Sequence, residues 1–314
     1  MRTSAPWLLA CLTMIVGLFA GGCSTNPTTG RTSYYALTRE QEVQIGEQSK
    51  GEMIAEFGGE VARADLRQYV RDVGLRLVAT VGQDDPTMTN LPWEFVLLDS
   101  DVVNAFALPG GKVFMSRGLA QRMTNEAQLA GVLGHEIGHV TAQHTSERFG
   151  DAQRTGIVAG IGSILVGATL GVDVSGLAEQ AAGITLASYG RDQENEADAL
   201  GMRYMVRAGY DPAGQLQVMQ ILASLDKQGR PPEFLSTHPY PEKRIENIQG
   251  KLRNEYAYTQ GNSQFKTGEQ EFRANFLSKL GIAYPPGREE DPAVRVFAMS
   301  AGLCSDGCSH CVNK

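Results

Sequence analysis

The chain has 314 residues, a formal net charge of −7 and 42% hydrophobic residues. That length holds one large domain or two modest ones, and the composition is that of a globular protein, not of a disordered or collagenous one. The acidic balance argues against nucleic acid as a partner, because a phosphate backbone selects clustered Lys and Arg.

At the amino terminus, Arg2 precedes an apolar run from Trp7 to Ala20. Fourteen residues are short for a bilayer span and suit a signal-peptide core. The run ends Ala20-Gly21-Gly22-Cys23-Ser24. Small residues directly before a cysteine resemble a bacterial lipoprotein cleavage site, with Ala20 standing where Leu is commoner. Residues 1–22 are therefore expected to be a signal peptide and Cys23 the lipidated first residue. The membrane is then a partner through Cys23, and Ser24 after it resembles lipoproteins bound for the outer membrane. Residues 23–35 are polar and turn-rich and are expected to be a tether.

Thr38 and Gln41 form a capping-box pattern opening a helix to about Glu56. Leu66, Tyr69, Val70, Val73 and Leu77 mark a second helix, and Trp93 to Leu98 reads as a strand. Asn104 to Ser116 reads as a strand, a Pro109-Gly110-Gly111 turn and a second strand from Val113.

Thr124 and Asn125 then offer an N-cap to a helix carrying Leu129, Val132, Leu133, Ile137 and Val140 at helical spacing, with Glu126 in its first turn. On that helix lies His135-Glu136-Ile137-Gly138-His139, a complete HExxH. Residues four apart are ~40° apart in azimuth and ~6 Å apart in rise, so both imidazoles can grip one metal ion. Glu136 lies ~100° round from His135 and can reach the same ion as a general base. A His/Glu cluster on an otherwise apolar helix is costly to bury unless paired or metal-bound. His144 lies about 140° round the helix from His139, which points it away from the site and makes it a hydrogen-bonded structural histidine and not a ligand.

Residues 156–187 include a nearly all-apolar stretch from Ile157 to Val172, just under a membrane span in length. They are expected to be a buried helix, an apolar lid or a membrane-contacting segment. Glu194 and Asp198 open the next helical run and share one face. Glu194 can complete a three-ligand zinc set, and Asp198 can accept the free ring N–H of a ligand histidine. Glu196 is turned elsewhere and is expected to be solvated. Asp211-Pro212 and Pro241 start two more helices, and Phe272, Phe276 and Leu280 mark a last one. Cys304, Cys308 and Cys311 crowd the end beside His310. One disulfide plus a free thiol and a Cys3His metal site are both open, and an unstructured tail is the simpler reading.

HExxH followed by ExxxD on a later helix resembles the gluzincins. Four stretches narrow the likeness: Asn104 to Gly111, Glu126 to His144, Glu194 to Gly201, and His238-Pro239-Tyr240-Pro241-Glu242-Lys243-Arg244-Ile245. Together they resemble metallopeptidase family forty-eight, the family of the CAAX prenyl protease, and within it the periplasmic lipoprotein members. The resemblance implies an α+β, mostly helical fold with a small antiparallel sheet beside the HExxH helix, filling residues 36–255 and followed by an extension, 256–314. That extension is expected to be too short for the helical-repeat domain of some relatives. It also implies one Zn²⁺ per chain on His135, His139 and Glu194, with Glu136 as base. Asn104, Ala105 and Phe106 would line an edge strand that pairs with substrate, although Phe106 could equally be core. His238 would be a reversible extra ligand or oxyanion donor, and Arg244 an oxyanion stabiliser. The function expected is a zinc endopeptidase of the periplasm, tethered to the outer membrane and hydrolysing misfolded or misassembled envelope proteins. The rival expectation is a zinc-containing chaperone or assembly factor with a gated, rarely active site.

Overall fold

The computed structural model describes residues 23–154, 188–229, 232–239 and 241–280. The expected signal segment 1–22, the apolar stretch 156–187 and the group Cys304, Cys308, His310 and Cys311 lie outside the described residues. Among the described residues, no helix is long and apolar enough to cross a membrane.

A hairpin comes first, β1 (Cys23–Thr25) and β2 (Thr32–Tyr34), paired antiparallel. Helix α1 (Arg39–Glu56) opens on Thr38 with the capping box its sequence announces. Helix α2 (Ala64–Val81) buries Leu66, Val70, Val73 and Leu77. Strands β3 (Glu94–Leu98), β4 (Ala105–Leu108) and β5 (Lys112–Ser116) follow. Their order is β3-β5-β4, and β4 pairs antiparallel with β5 through the expected turn. Gly110 and Gly111 hold that turn with φ of 77° and 89°, and a Cβ on Gly110 would meet Val43 of α1 at 2.5 Å. The sheet is mixed, however: β3 joins β5 in parallel, because the chain leaving β3 first runs back as β4 and the tight turn then returns it as β5 between the two.

Side chains alternate across the sheet as pleating requires. Phe95, Leu97, Ala105, Ala107, Val113 and Met115 enter the main core with α2. Val96, Leu98, Phe106, Leu108 and Phe114 face Met53, Ile54 and Phe57 at the end of α1. The sheet is thus a middle layer, with α1 outside it and the main helical body inside.

That body is built round α4 (Glu126–Thr141), which follows the short α3 (Arg117–Ala120). Asn125 caps α4 by accepting from Gln128 N–H, and every residue of α4 is buried. The apolar spacing implied one buried face; small residues let the other face be covered too. Helices α5 (His144–Arg154), α6 (Arg191–Arg207), α7 (Ala213–Lys227), α8 (Phe234–Thr237) and α9 (Pro241–Asn254) complete the enclosure. Where α4 crosses α6, a Cβ on Gly138 would stand 2.9 Å from Ala197 O, and one on Gly201 would stand 2.9 Å from His135 N. Only glycine permits that approach, and it brings the first turn of α6 to the HExxH turn.

Two boundaries differ from expectation. Residues 23–35 are packed and not a free tether: Asn26 is buried and its Nδ2 donates to Thr141 O at the end of α4. The core also continues past residue 255. Phe272, in α10 (Glu269–Phe272), and Phe276 pack on Tyr69 of α2 with ring centroids 6.0 and 5.4 Å apart. Lys266 bonds buried Glu126 at 2.8 Å, beside Arg76 and the hydroxyls of Tyr69 and Tyr210. Burial alone would raise the Glu126 carboxyl, but Lys266 and the two tyrosines outweigh it and hold it low.

Candidate metal centre

His135 and His139 project from the last turns of α4, and their Nε2 atoms stand 3.0 Å apart. Glu194, in the first turn of α6, lies 3.4 Å from His139 Nε2 and 3.6 Å from His135 Nε2. His238, just past α8, places Nδ1 3.2 Å from His135 Nε2 and 3.0 Å from Glu194 Oε1. All four are buried, and their donor atoms lie within 4.8 Å of one another. Ligand atoms ~2.0–2.1 Å from a tetrahedral zinc stand ~3.3 Å from each other. The donor set therefore fits zinc in both chemistry and spacing. Among the described residues, both oxygens of buried Glu136, Glu194 Oε2 and His238 Nε2 lack hydrogen-bond partners. Polar atoms left unpaired in a protein interior are costly, so this cluster is built for a charged guest.

The surrounding charges hold the donors in place. His135 Nδ1 lies 2.9 Å from Asp198 Oδ1, the carboxylate expected to take its free ring N–H. Asp198 also accepts from Gln215 Nε2 at 2.8 Å, which sequence reasoning missed because α7 returns to the site only in three dimensions. Arg244, 2% exposed, donates from Nε and Nη2 to Asp198 at 2.8 and 2.7 Å. Its Nη1 stands 2.5 Å from Glu194 Oε2, a close ion pair without hydrogen-bond angles. Burial alone would raise both carboxyls, but Arg244 dominates. It holds Asp198 down at about 2 and Glu194 well below the usual range. Burial raises Glu136, and His238 and His135 offset it only in part. Burial lowers His139, which favours the neutral imidazole that binds metal.

The rear of His139 has partners of its own. Helix α4 stops at Thr141, and Gln143 takes a left-handed φ of 57°, so His144 starts a new helix and folds back. Its Nδ1 lies 2.8 Å from His139 Nδ1, and its Nε2 lies 2.9 Å from Glu196 Oε2. His144 is thus a hydrogen-bonded histidine outside the donor cluster, as expected, but it stands behind His139 instead of pointing away. Glu196 is only partly solvated, its side chain 23% exposed: His144 of α5 and Arg31 of the hairpin pair with it, which azimuth on a single helix cannot reveal. Tyr189 stacks on His139 at 3.9 Å, with Arg148 4.4 Å above the tyrosine ring. Phe234 stacks on His238 at 4.3 Å. Nothing in the local sequence marks Tyr189 or Phe234.

Among the described residues, strand β4 is an edge of the sheet. Ser116 N–H donates to Asn104 O, so antiparallel alternation turns the backbone groups of Ala105 and Ala107 outward. Phe106 stacks on Phe114 at 4.8 Å, so its side chain is core. Asn104 Nδ2 donates to Glu233 at 3.3 Å. A small cavity lined by Glu42, Ala107, Pro109, His139, Val140 and Gln143 joins this edge to the donor cluster.

Comparison with known proteins agrees with this geometry. The chain is 31% identical over 256 residues to the Beta-barrel assembly-enhancing protease of Escherichia coli (strain K12), covering 78% of this chain and 51% of that protein. It is 29% identical over 229 residues to the mitochondrial metalloendopeptidase OMA1 of Schizosaccharomyces pombe, covering 71% of this chain and 64% of that one. The human mitochondrial metalloendopeptidase OMA1 matches at 29% over 234 residues, 71% of this chain and 44% of that protein. The chain thus spans about half the length of the assembly-enhancing proteases it matches. Residues 64–252, which run from α2 through the donor cluster to α9, match the description of peptidase family M48, and the chain belongs to that family.

Proposed function

We propose that this protein is a zinc-dependent endopeptidase of the bacterial cell envelope that hydrolyses misfolded or misassembled proteins. The observation that carries the reading is the donor set of His135, His139 and Glu194 beside a buried, unpartnered Glu136, in a chain of peptidase family M48. When bound, zinc supplies a Lewis acid that activates water near neutral pH and polarises the peptide carbonyl.

The chain's own residues supply the rest. Glu136 takes the proton of the attacking water and returns it to the leaving amine. Its burial raises its proton affinity toward the working range of such a base. The outward backbone groups of Ala105 and Ala107 hold an extended substrate, and recognition by backbone tolerates many sequences. His238 Nε2, 3.7 Å from Glu136 Oε1, is a donor at hand for the developing oxyanion. Arg244 is committed to Asp198 and Glu194, so we assign it the holding of those carboxylates in place of a direct oxyanion contact. The envelope setting rests on the lipoprotein-like leader and on the assembly-enhancing proteases named above. Cys23 is exposed at the start of β1, open to an anchor at the outer membrane.

One observation favours the gated reading. His238 fills the fourth donor position, which a catalytic zinc site keeps open. Zinc content and casein cleavage, measured on residues 24–314 as wild type, Glu136→Ala and His238→Ala, separate the cases. The expected result is one zinc in wild type and Glu136→Ala, cleavage lost in Glu136→Ala, and cleavage enhanced in His238→Ala. A Glu136→Ala protein that still cleaves would remove Glu136 from the mechanism. Zinc without cleavage in all three would favour a chaperone or assembly factor.

A further inference from the structure

The two ligand histidines of α4 are supported by different routes. His135 leans on Asp198, a carboxylate of α6. Among the described residues, no carboxylate directly backs His139; its Nδ1 faces His144 Nδ1 at 2.8 Å. The donor and acceptor roles along that line follow from the inventory of each group. Glu196 is an ionised carboxylate and only accepts, so His144 Nε2 donates to it at 2.9 Å. A neutral His144 protonated on Nε2 offers a lone pair on Nδ1. His139 Nδ1–H must then donate, which leaves the His139 Nε2 lone pair facing Glu194 and His135. One tautomer of each ring satisfies the whole line.

The line continues to the amino-terminal hairpin. Arg31, in the loop of that hairpin, donates to Glu196 from Nη2 at 3.0 Å and from Nε at 3.4 Å. The same guanidinium grips Glu147 of α5 through Nη1 and, at 3.1 Å, through Nη2. Ser33 Oγ and Gln193 Nε2 also donate to Glu147, at 2.5 and 2.8 Å. Asn26 fixes the hairpin to Thr141 O, two residues past His139. Residues 165 positions apart in sequence, Arg31 and Glu196, are thereby joined behind a metal ligand.

We propose that the amino-terminal hairpin is a working part of the metal centre, in which Arg31, through Glu196 and His144, sets the orientation and tautomer of His139. Arg31, Glu196 and His144 are positioning residues. The proposal rests on the zinc peptidase reading above and adds the hairpin to it. Partners behind a ligand histidine typically govern metal affinity by 10- to 100-fold.

The test is zinc affinity, by competition with a chromophoric chelator, together with the visible spectrum of the Co²⁺-substituted protein, on the full mature chain. His144→Ala is expected to bind zinc about 10- to 100-fold more weakly and to shift the Co²⁺ bands. His144→Asn, which keeps an acceptor where Nδ1 stands, is expected to recover most of the affinity. Arg31→Ala is expected to weaken binding about 3- to 10-fold, and Arg31→Lys to restore part of it. Arg31 is 35% exposed and its loss leaves the core intact, so the Arg31 pair decides the matter even where His144→Ala fails to fold. Folded His144→Ala and Arg31→Ala proteins that bind zinc within twofold of wild type, with unchanged Co²⁺ bands, would overturn the proposal while leaving the peptidase reading intact. A wild-type chain that binds no zinc would overturn both. Glu136→Ala serves as the control, inactive with unchanged zinc affinity.

Discussion

At the scale of single residues, the centre shows how burial and pairing divide labour among carboxylates. Glu136, Glu194 and Asp198 are all buried, yet they are driven in opposite directions. Arg244 keeps Glu194 and Asp198 ionised, and Glu136, without a hydrogen-bond partner, is pushed up. On the function proposed above, two carboxylates hold donors or metal and one moves a proton. Asp198→Asn is expected to lower zinc affinity about 10- to 100-fold, because an amide holds the His135 ring N–H less firmly. It also leaves Arg244 without its main counter-charge. Chelator competition checks this, and affinity equal to wild type would remove Asp198 from the support of His135. Much at this scale was legible in the sequence. HExxH and ExxxD are local patterns, and helical geometry alone puts each pair on one face. Tyr189, Phe234 and Gln215 were not legible, because their positions depend on how distant segments return.

At the scale of elements, the meeting of α4 and α6 decides whether a site exists. Gly134, Gly138 and Gly201 let the two backbones touch. Gly201→Val is expected to push the helices apart, destabilising the fold by about 1–3 kcal/mol as an overpacked contact does. It is also expected to weaken zinc binding more than a remote core substitution of equal cost. Thermal unfolding of the metal-free protein, paired with zinc titration, measures both. A Gly201→Val protein with normal zinc affinity would show that α6 reaches the centre without this contact. The helices themselves were readable from capping residues and apolar spacing: Thr38, Asn125 and Pro241 each start one where predicted. The break at Gln143 was not, since no glycine marks the position where the backbone takes a left-handed φ of 57°.

At the scale of the whole molecule, the hairpin and the residues past 255 extend the fold at both ends. The hairpin gives the protein an acid-sensitive joint. Burial alone would raise the Glu147 carboxyl, but hydrogen bonds from Arg31, Ser33 and Gln193 hold it down at about 2, against an ordinary 4.5. A depressed carboxyl contributes stability above its unfolded pKa and loses it as pH falls through its folded one. Wild type is therefore expected to be more stable than Glu147→Gln at pH 7, by about 1–3 kcal/mol as for charged hydrogen bonds. That gap should close as pH falls from about 4.5 to about 2. Denaturant unfolding across this range gives the gap directly, and a constant gap would show that the Arg31–Glu147 pairing adds nothing to stability.

The sequence by itself determined the identity of the chemistry. HExxH, ExxxD and the helix signals around them are written over a few residues, and the helical repeat turns that spacing into geometry without help from the rest of the chain. Tertiary structure alone decided what surrounds those groups. It brought His238 to the fourth donor position, committed Arg244 to two carboxylates and placed Arg31 behind His139 through two intermediaries. Each of these contacts joins segments separated by more than 40 residues, and their meeting depends on glycine-permitted helix contacts and a turned backbone that no local pattern encodes.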